Sequence, residues 1–203
     1  MTKLWFLLVL TLGSLTGPPA QTDGNVLLRD DFATRAYRWS LSESAKLRVD
    51  YVDEKLYMMI ESPGLAAWSV PDTSLDLSRY HMTVTGEIIE VTPVGTIGLV
   101  FNFQDDDNHY VFEVNHTGEY TLTLVEDGVK SLLAEGEIEA STTYDFDLAV
   151  WDNTFTIRVN DAEEPISTHD ESIKSGIVGL YSRAGRGALH VAFDDFLLVD
   201  WVE

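Results

Sequence analysis

The residues in this chain best suited to handling a ligand are arranged by the two-residue period of extended chain. In Thr143-Tyr144-Asp145-Phe146-Asp147-Leu148-Ala149-Val150-Trp151, the apolar set Tyr144, Phe146, Leu148 and Val150 alternates with Asp145, Asp147, Ala149 and Trp151, so Trp151 lies with the acids. The same parity sets Thr156 and Arg158 apart from Phe155, Ile157 and Val159. It also sets Asn102 and Gln104 apart from Phe101 and Phe103, and His109 and Glu113 apart from Tyr110 and Phe112. If these strands share one sheet, its outer face offers Trp151, Asp147, Arg158, Asn102 and Glu113 together. Sugars are bound by such mixtures, a ring stacking on the apolar sugar face while amides, carboxylates and guanidinium meet the hydroxyls. An ordinary hydrated sheet face is the alternative. Trp39, Tyr57, Trp68, Tyr110 and Tyr181 read as core or edge-of-core aromatics.

Glycoside hydrolysis would need two carboxyl groups facing one bond, about 5 Å or up to about 9.5 Å apart. Glu87 and Glu90 are three residues apart, which on a strand puts them on opposite faces. Asp145 and Asp147 share a face, but no nearby glutamate completes a set. There is no Gly-x-Ser-x-Gly elbow and no cysteine to act as a thiol nucleophile. The five histidines are scattered, without the spacing of a zinc site.

Two Asp-Asp-Phe segments bracket the chain, at Asp30-Asp31-Phe32 and Asp194-Asp195-Phe196. They predict a sandwich whose ends meet. Alternation places Phe193 and Asp195 on one face, with Asp194 and Phe196 on the other. A carboxylate sharing a face with core-type residues must accept hydrogen bonds, pair with a base, or bind a cation.

The elements that would position these groups are almost all strands. Period-two segments run through Val26–Phe32, Lys46–Val52, Leu56–Ser62, Ala66–Val70, His81–Val91, Thr96–Phe103, Tyr110–Asn115, Tyr120–Val125, Lys130–Ala134, Tyr144–Trp151, Phe155–Val159, Gly176–Tyr181 and Leu189–Val199. Thr117-Gly118, Asp127-Gly128 and Asn160-Asp161 mark tight turns, and Asp105-Asp106-Asp107-Asn108 a polar loop. No linker or repeat divides the chain. The fold class predicted is all-β, a single-domain two-sheet antiparallel jelly-roll sandwich over residues 26–203.

Ahead of it, Lys3, the apolar run from Leu4 to Leu12 and the following Gly/Pro cluster read as a secretory signal peptide over residues 1–20. Once that is removed, no later segment is apolar enough for membrane insertion, and the expected location is secreted or cell envelope. The formal charge of the whole chain is −21. Such a balance excludes nucleic acid as a natural partner, because phosphate binding draws on Lys and Arg.

The order of motifs resembles the concanavalin A-like lectin/glucanase superfamily, and within it the laminin-G-like and 3-keto-disaccharide hydrolase-like jelly rolls. The resemblance rests on Asp30-Asp31-Phe32 with Trp39, and on Gly98-Leu99-Val100-Phe101 leading through Asp105-Asp106-Asp107-Asn108-His109-Tyr110 into Val111-Phe112-Glu113-Val114. It continues in Thr156-Ile157-Arg158-Val159-Asn160-Asp161 and in Gly176-Ile177-Val178-Gly179-Leu180-Tyr181 before Phe193-Asp194-Asp195-Phe196. It implies a structural calcium ion where the first and last strands meet, held by an aspartate plus backbone carbonyls, with Asp195 and, from the opposing strand, Asp31 as metal ligands; the alternative is that these aspartates accept backbone N–H bonds or sit at the solvent edge. It also implies glycan or cell-surface polysaccharide as partner. The Glu-x-Asp-x-x-Glu pattern of the superfamily's glucanases is absent. Three function classes follow: a non-catalytic carbohydrate-binding or recognition module, a glycoside hydrolase of the 3-keto-disaccharide type, and a structural or adhesive domain without a sugar site.

Overall fold

The structure, a computed structural model, describes residues 24–200, so the signal-peptide segment lies outside the described residues. Fifteen strands are formed: β1 Val26–Asp30, β2 Ser42–Glu43, β3 Leu47–Val52, β4 Lys55–Ile60, β5 Ala66–Ser69, β6 Tyr80–Val91, β7 Gly95–Asp105, β8 Asn108–Asn115, β9 Glu119–Glu126, β10 Val129–Glu137, β11 Thr143–Trp151, β12 Thr154–Val159, β13 Ile166–His169, β14 Ile177–Ala184 and β15 Leu189–Asp200. All thirteen predicted strands appear. The additions are the short edge strands β2 and β13, too brief to show a period.

Every pairing is antiparallel. One sheet has nine strands in the order β13-β12-β11-β6-β15-β4-β3-β2, with β1 alongside β15, and the other has six in the order β10-β9-β8-β7-β14-β5. Hairpin tips take the left-handed backbone that their short polar residues tolerate, as at Asp127 (φ 51°) and Gly128 (φ 73°), and at Asp152 (φ 49°) and Asn153 (φ 59°). The ends of the chain do meet, Asp30 lying opposite Phe196 and Val26 opposite Val199.

The core lies between the sheets. Tyr80, Met82 and Val84 of β6, Tyr144, Phe146, Leu148 and Val150 of β11, and Val191, Phe193, Phe196 and Leu198 of β15 face Ile97, Leu99 and Phe101 of β7, Phe112 and Val114 of β8, and Val178 and Leu180 of β14. Each such side chain contributes about 1.5–3 kcal/mol through burial. Gly86 makes room for the aromatics, since a Cβ there would meet Ile97 Cδ1 at 2.8 Å and Phe146 Cε2 at 3.1 Å.

Strict alternation fails at two bulges. In β15 the register shifts between Asp194 and Leu197, with Asp195 at φ 53°, so Phe193 and Phe196 both enter the core and Asp195 is exposed. The expected sharing of a face by Phe193 and Asp195 is therefore corrected. In β7 the ladder to β8 shifts between Phe101 and Asp105, with Asn102 at φ 43°, and Asn102 turns inward. There Tyr80 Oη donates to Asn102 Oδ1 at 2.8 Å, and Asn102 Nδ2 donates to the Ile173 carbonyl at 2.8 Å. The placement of Asn102 on an outer face is likewise corrected.

Candidate functional site

The five residues expected on one face are divided by the topology. Asp147 and Trp151 of β11 and Arg158 of β12 belong to the nine-stranded sheet, Glu113 of β8 belongs to the six-stranded sheet, and Asn102 lies between the two. Asp147 and Arg158 are cross-strand neighbours, and Asp147 Oδ1 lies 2.7 Å from His81 Nε2. Asp145 accepts from Thr85 Oγ1 at 2.7 Å on the same face. Period two fixes which residues of a strand point together, but not which sheet the strand joins.

A hollowed face belongs to the six-stranded sheet. Trp68, Tyr181, Gly98, Glu113, Thr121 and Glu135 are successive cross-strand neighbours from β5 through β14, β7, β8 and β9 to β10, forming one row across the sheet. Gly98 is required there because a Cβ would lie 1.9 Å from the Phe112 carbonyl oxygen. Its missing side chain leaves the row open between Tyr181 and Glu113. Val100, Val111 and Tyr181 form a second apolar cluster on this face, with Ala66, Trp68, Val70 and Phe103 packed against it.

At the middle of the row stands an ion pair. Glu113, 9% exposed, accepts from Arg183 through both carboxylate oxygens, with Arg183 Nε 3.1 Å from Oε2. Thr96 Oγ1 donates to Oε2 at 2.6 Å, and Thr121 Oγ1 is 3.4 Å from Oε1. This bidentate geometry fixes the guanidinium plane across the face. Two hollows meet at the pair, which lines both. The larger, about 530 Å³, also takes in Glu119, Tyr120, Glu135 and Glu137. The smaller, about 350 Å³, is walled by Trp68, His109, Val111 and Tyr181, with Lys130 at its margin. Burial pushes the Tyr181 phenol well above its ordinary value, with the Glu113 charge adding to the effect, so it is a hydroxyl donor at neutral pH. Volumes of this size suit one or two sugar rings.

Of the residues read from sequence as binding groups, Glu113 alone lies on this row. Tyr181 is buried and Trp68 packs against its cluster, as expected of core and edge-of-core aromatics, but that cluster lies on the outer face of the six-stranded sheet rather than between the sheets. The signal that could have found them is the shared parity of Tyr181 and Arg183, opposite to that of Leu180 and Ala184.

At the meeting of the chain ends, the buried carboxylate is Asp30, 4% exposed. Its Oδ1 accepts the Phe32 N–H at 2.8 Å and its Oδ2 accepts Trp39 Nε1–H at 2.9 Å. Burial raises its pKa, with these two hydrogen bonds opposing. Asp31 is exposed and accepts the Ala33 N–H at 3.1 Å, and Asp195 sits exposed in its bulge. Both oxygens of Asp30 are thus met by N–H donors, and Asp31 and Asp195 are the exposed carboxylates of this corner.

No helix among the described residues is long and apolar enough to cross a membrane. No family model matches the chain, and no curated protein matches it in sequence. Solved structures match it in fold. A carbohydrate-binding module, CBM66, from Bacillus subtilis superposes with a TM-score of 0.62 at 18% identity, covering 80% of this chain and 95% of that one. A Bacillus subtilis protein with a galectin-like fold gives 0.63 at 12% identity over 88% and 97% of the two chains. The Bacillus licheniformis beta-glucanase gives 0.60 at 10% identity over 89% and 100%. The chain thus has the concanavalin A-like jelly-roll fold that its sequence resembles, a single all-β sandwich of two antiparallel sheets.

Proposed function

We propose that this protein is an exported, non-catalytic carbohydrate-binding module that seats a glycan along the row from Trp68 to Glu135. The observation that carries this reading is the open aromatic hollow beside the fixed Glu113–Arg183 pair. The half-buried Trp68 indole covers the C–H face of a sugar, while the Arg183 edge not turned to Glu113 donates to its hydroxyls. The presence of a carbohydrate-binding module and of a beta-glucanase among proteins of the same fold supports a role with sugars, by analogy of fold alone. Glu113 has both oxygens engaged by Arg183 and threonine hydroxyls, which suits a group fixed for recognition.

A glycan array followed by titration of the best binder tests the reading. Trp68→Ala is expected to weaken binding by about tenfold or more, and Trp151→Ala to leave it unchanged. The reverse pattern would move the site to Trp151, Asp147 and Arg158 on the nine-stranded sheet. The hydrolase alternative draws on Glu113 and Glu135, two strands apart in the row and hence about 10 Å apart along the sheet. Release of sugar from 3-keto or unmodified glycosides, abolished by Glu135→Gln, would replace the binding proposal with that one.

A further inference from the structure

The turn between β7 and β8 brings His109 to the aromatic end of the row. Its Nδ1 lies 3.0 Å from the Asp105 carbonyl oxygen, which can only accept, so the neutral ring carries its hydrogen on Nδ1. Nε2 is then a lone-pair acceptor. It has no hydrogen-bond partner among the described residues, although the residue as a whole is only 4% exposed. Nor is this nitrogen sealed from the hollow: the unpartnered side-chain atoms that are fully enclosed among the described residues are Tyr51 Oη and His116 Nδ1. Trp68 and Phe103 flank the imidazole at 6.0 and 5.5 Å between ring centroids, and the hollow of about 350 Å³ opens beside it.

We infer that His109 determines specificity in the glycan site, accepting through Nε2 a hydroxyl proton from one neutral sugar ring seated against Trp68. This rests on the carbohydrate-binding reading and adds to it a residue, a polarity and a substrate class. The sugar is neutral because Asp106, Asp107 and Glu113 line the same hollow, while Arg183 is already paired and Lys130 is the other cation lining it. A uronate would meet like charge there. Protonation would turn Nε2 from acceptor to donor and set it against the hydroxyl it should receive. Burial holds the His109 pKa below the usual imidazole value, aided by Lys130 and opposed by the Asp105 carbonyl and by Asp105 and Asp106. The acceptor therefore persists at neutral pH and is lost only on acidification below the ordinary imidazole range.

Affinity electrophoresis in gels containing barley β-glucan, xylan, galactomannan, alginate or polygalacturonate tests this on the mature chain. Wild type, Trp68→Ala, His109→Phe and His109→Gln are compared between about pH 8 and about pH 5. One or more neutral polymers should retard the wild type, and the two uronates should not. His109→Phe keeps a ring but loses the acceptor and is expected to bind about tenfold more weakly, whereas His109→Gln, whose amide oxygen accepts, regains part of the loss. Wild-type retardation should fall toward acid while that of His109→Phe stays flat. Retardation that needs Trp68 but is equal in wild type and His109→Phe overturns the role of His109 and leaves the carbohydrate reading standing. Preference for uronates overturns the substrate class. Retardation by none of the polymers overturns both readings together. Should His109→Phe fail to fold, ¹⁵N spectra of the wild-type imidazole decide: a protonated Nε2, or an Nε2 resonance unmoved by a binding polymer, refutes the proposal.

Discussion

Replacing Arg183 with methionine should cost more stability than replacing Glu113 with glutamine, and the reason is the unequal burial of the two partners. The Glu113 side chain is 11% exposed and that of Arg183 is 41% exposed. Removing the guanidinium strands a carboxylate that has few other donors, Thr96 Oγ1 at 2.6 Å and Thr121 Oγ1 at 3.4 Å. Breaking a fully buried pair costs about 3–5 kcal/mol, and an exposed pair is worth about 0.2–1 kcal/mol. A half-exposed arginine on a buried glutamate falls between, at about 2 kcal/mol for Arg183→Met. Glu113→Gln leaves an arginine that can turn to water, at about 1 kcal/mol. For a domain of this size, about 2 kcal/mol corresponds to a fall in Tm of about 4–8 °C. Urea denaturation of both single variants and the double variant at neutral pH gives the coupling directly, expected at about 1 kcal/mol. Equal or reversed costs, or a coupling below about 0.5 kcal/mol, would refute the assignment of Glu113 as the buried, dependent partner.

Three further perturbations follow from single contacts. Asp170 accepts from Tyr110 Oη at 2.6 Å; burial works against its charge, but the bonds from Tyr110 and Ser172 outweigh it and hold its pKa below 3.8. A depressed carboxylate contributes stability that is present above the unfolded value and lost as pH falls through the folded one, so Asp170→Asn should lower stability by about 1 kcal/mol at neutral pH and flatten the acid limb of the stability curve. Trp39→Phe removes the donor to Asp30 Oδ2 and should cost about 2–3 kcal/mol at neutral pH by urea denaturation. The Asp30 pKa is raised above 3.8, chiefly by burial, so this cost should shrink as acid protonates Asp30; a penalty independent of pH would show that the ring, not the N–H, matters. Millimolar calcium added after chelation tests the ion expected where the chain ends meet: a rise in Tm of several degrees, lost in Asp195→Asn, would place it there, and a shift below about 1 °C would refute it.

What the sequence made legible was parity, and where parity held the reading was right to the residue. Tyr144, Phe146, Leu148 and Val150 are in the core, Asp145 and Asp147 are outside it, and the chain ends meet as the paired Asp-Asp-Phe segments predict. Parity misled where a single residue with positive φ interrupts the count. Asn102 and Asp195 each mark a bulge, and aspartate and asparagine are the residues that enter that conformation most cheaply after glycine. Neither bulge announces itself in the local text, because Asn and Asp are equally at home on a wet strand face. The remaining gap is global. Trp68 and Tyr181 are neighbours only because β5 and β14 pair across more than a hundred residues, and no local pattern encodes that partnership.

The two outer faces differ in how their polar groups are spent, and that difference favours one of them as the binding surface. On the nine-stranded sheet the polar groups answer one another across strands. His81 meets Asp147 at 2.7 Å, Thr85 meets Asp145 at 2.7 Å, Lys55 meets Glu87 at 3.2 Å and His190 meets Glu61 at 2.7 Å. A face so paired gains little from a ligand, which would have to break existing bonds before making its own. On the six-stranded sheet, one acid and one base are locked together at the centre, while beside them lie an apolar cluster outside the main core and an imidazole nitrogen without a partner. Val100, Val111 and Tyr181 of that cluster are buried, and the half-buried Trp68 is the ring it leaves open to a ligand. A sugar ring on the Trp68 indole would bring its hydroxyls to the His109 imidazole beside it, so both groups suit the same kind of occupant. Covering Trp68 should therefore shield its indole from water and from quenchers such as acrylamide, whereas Trp151, on the other sheet, should stay as accessible as before; equal protection of both would place the ligand somewhere other than this row.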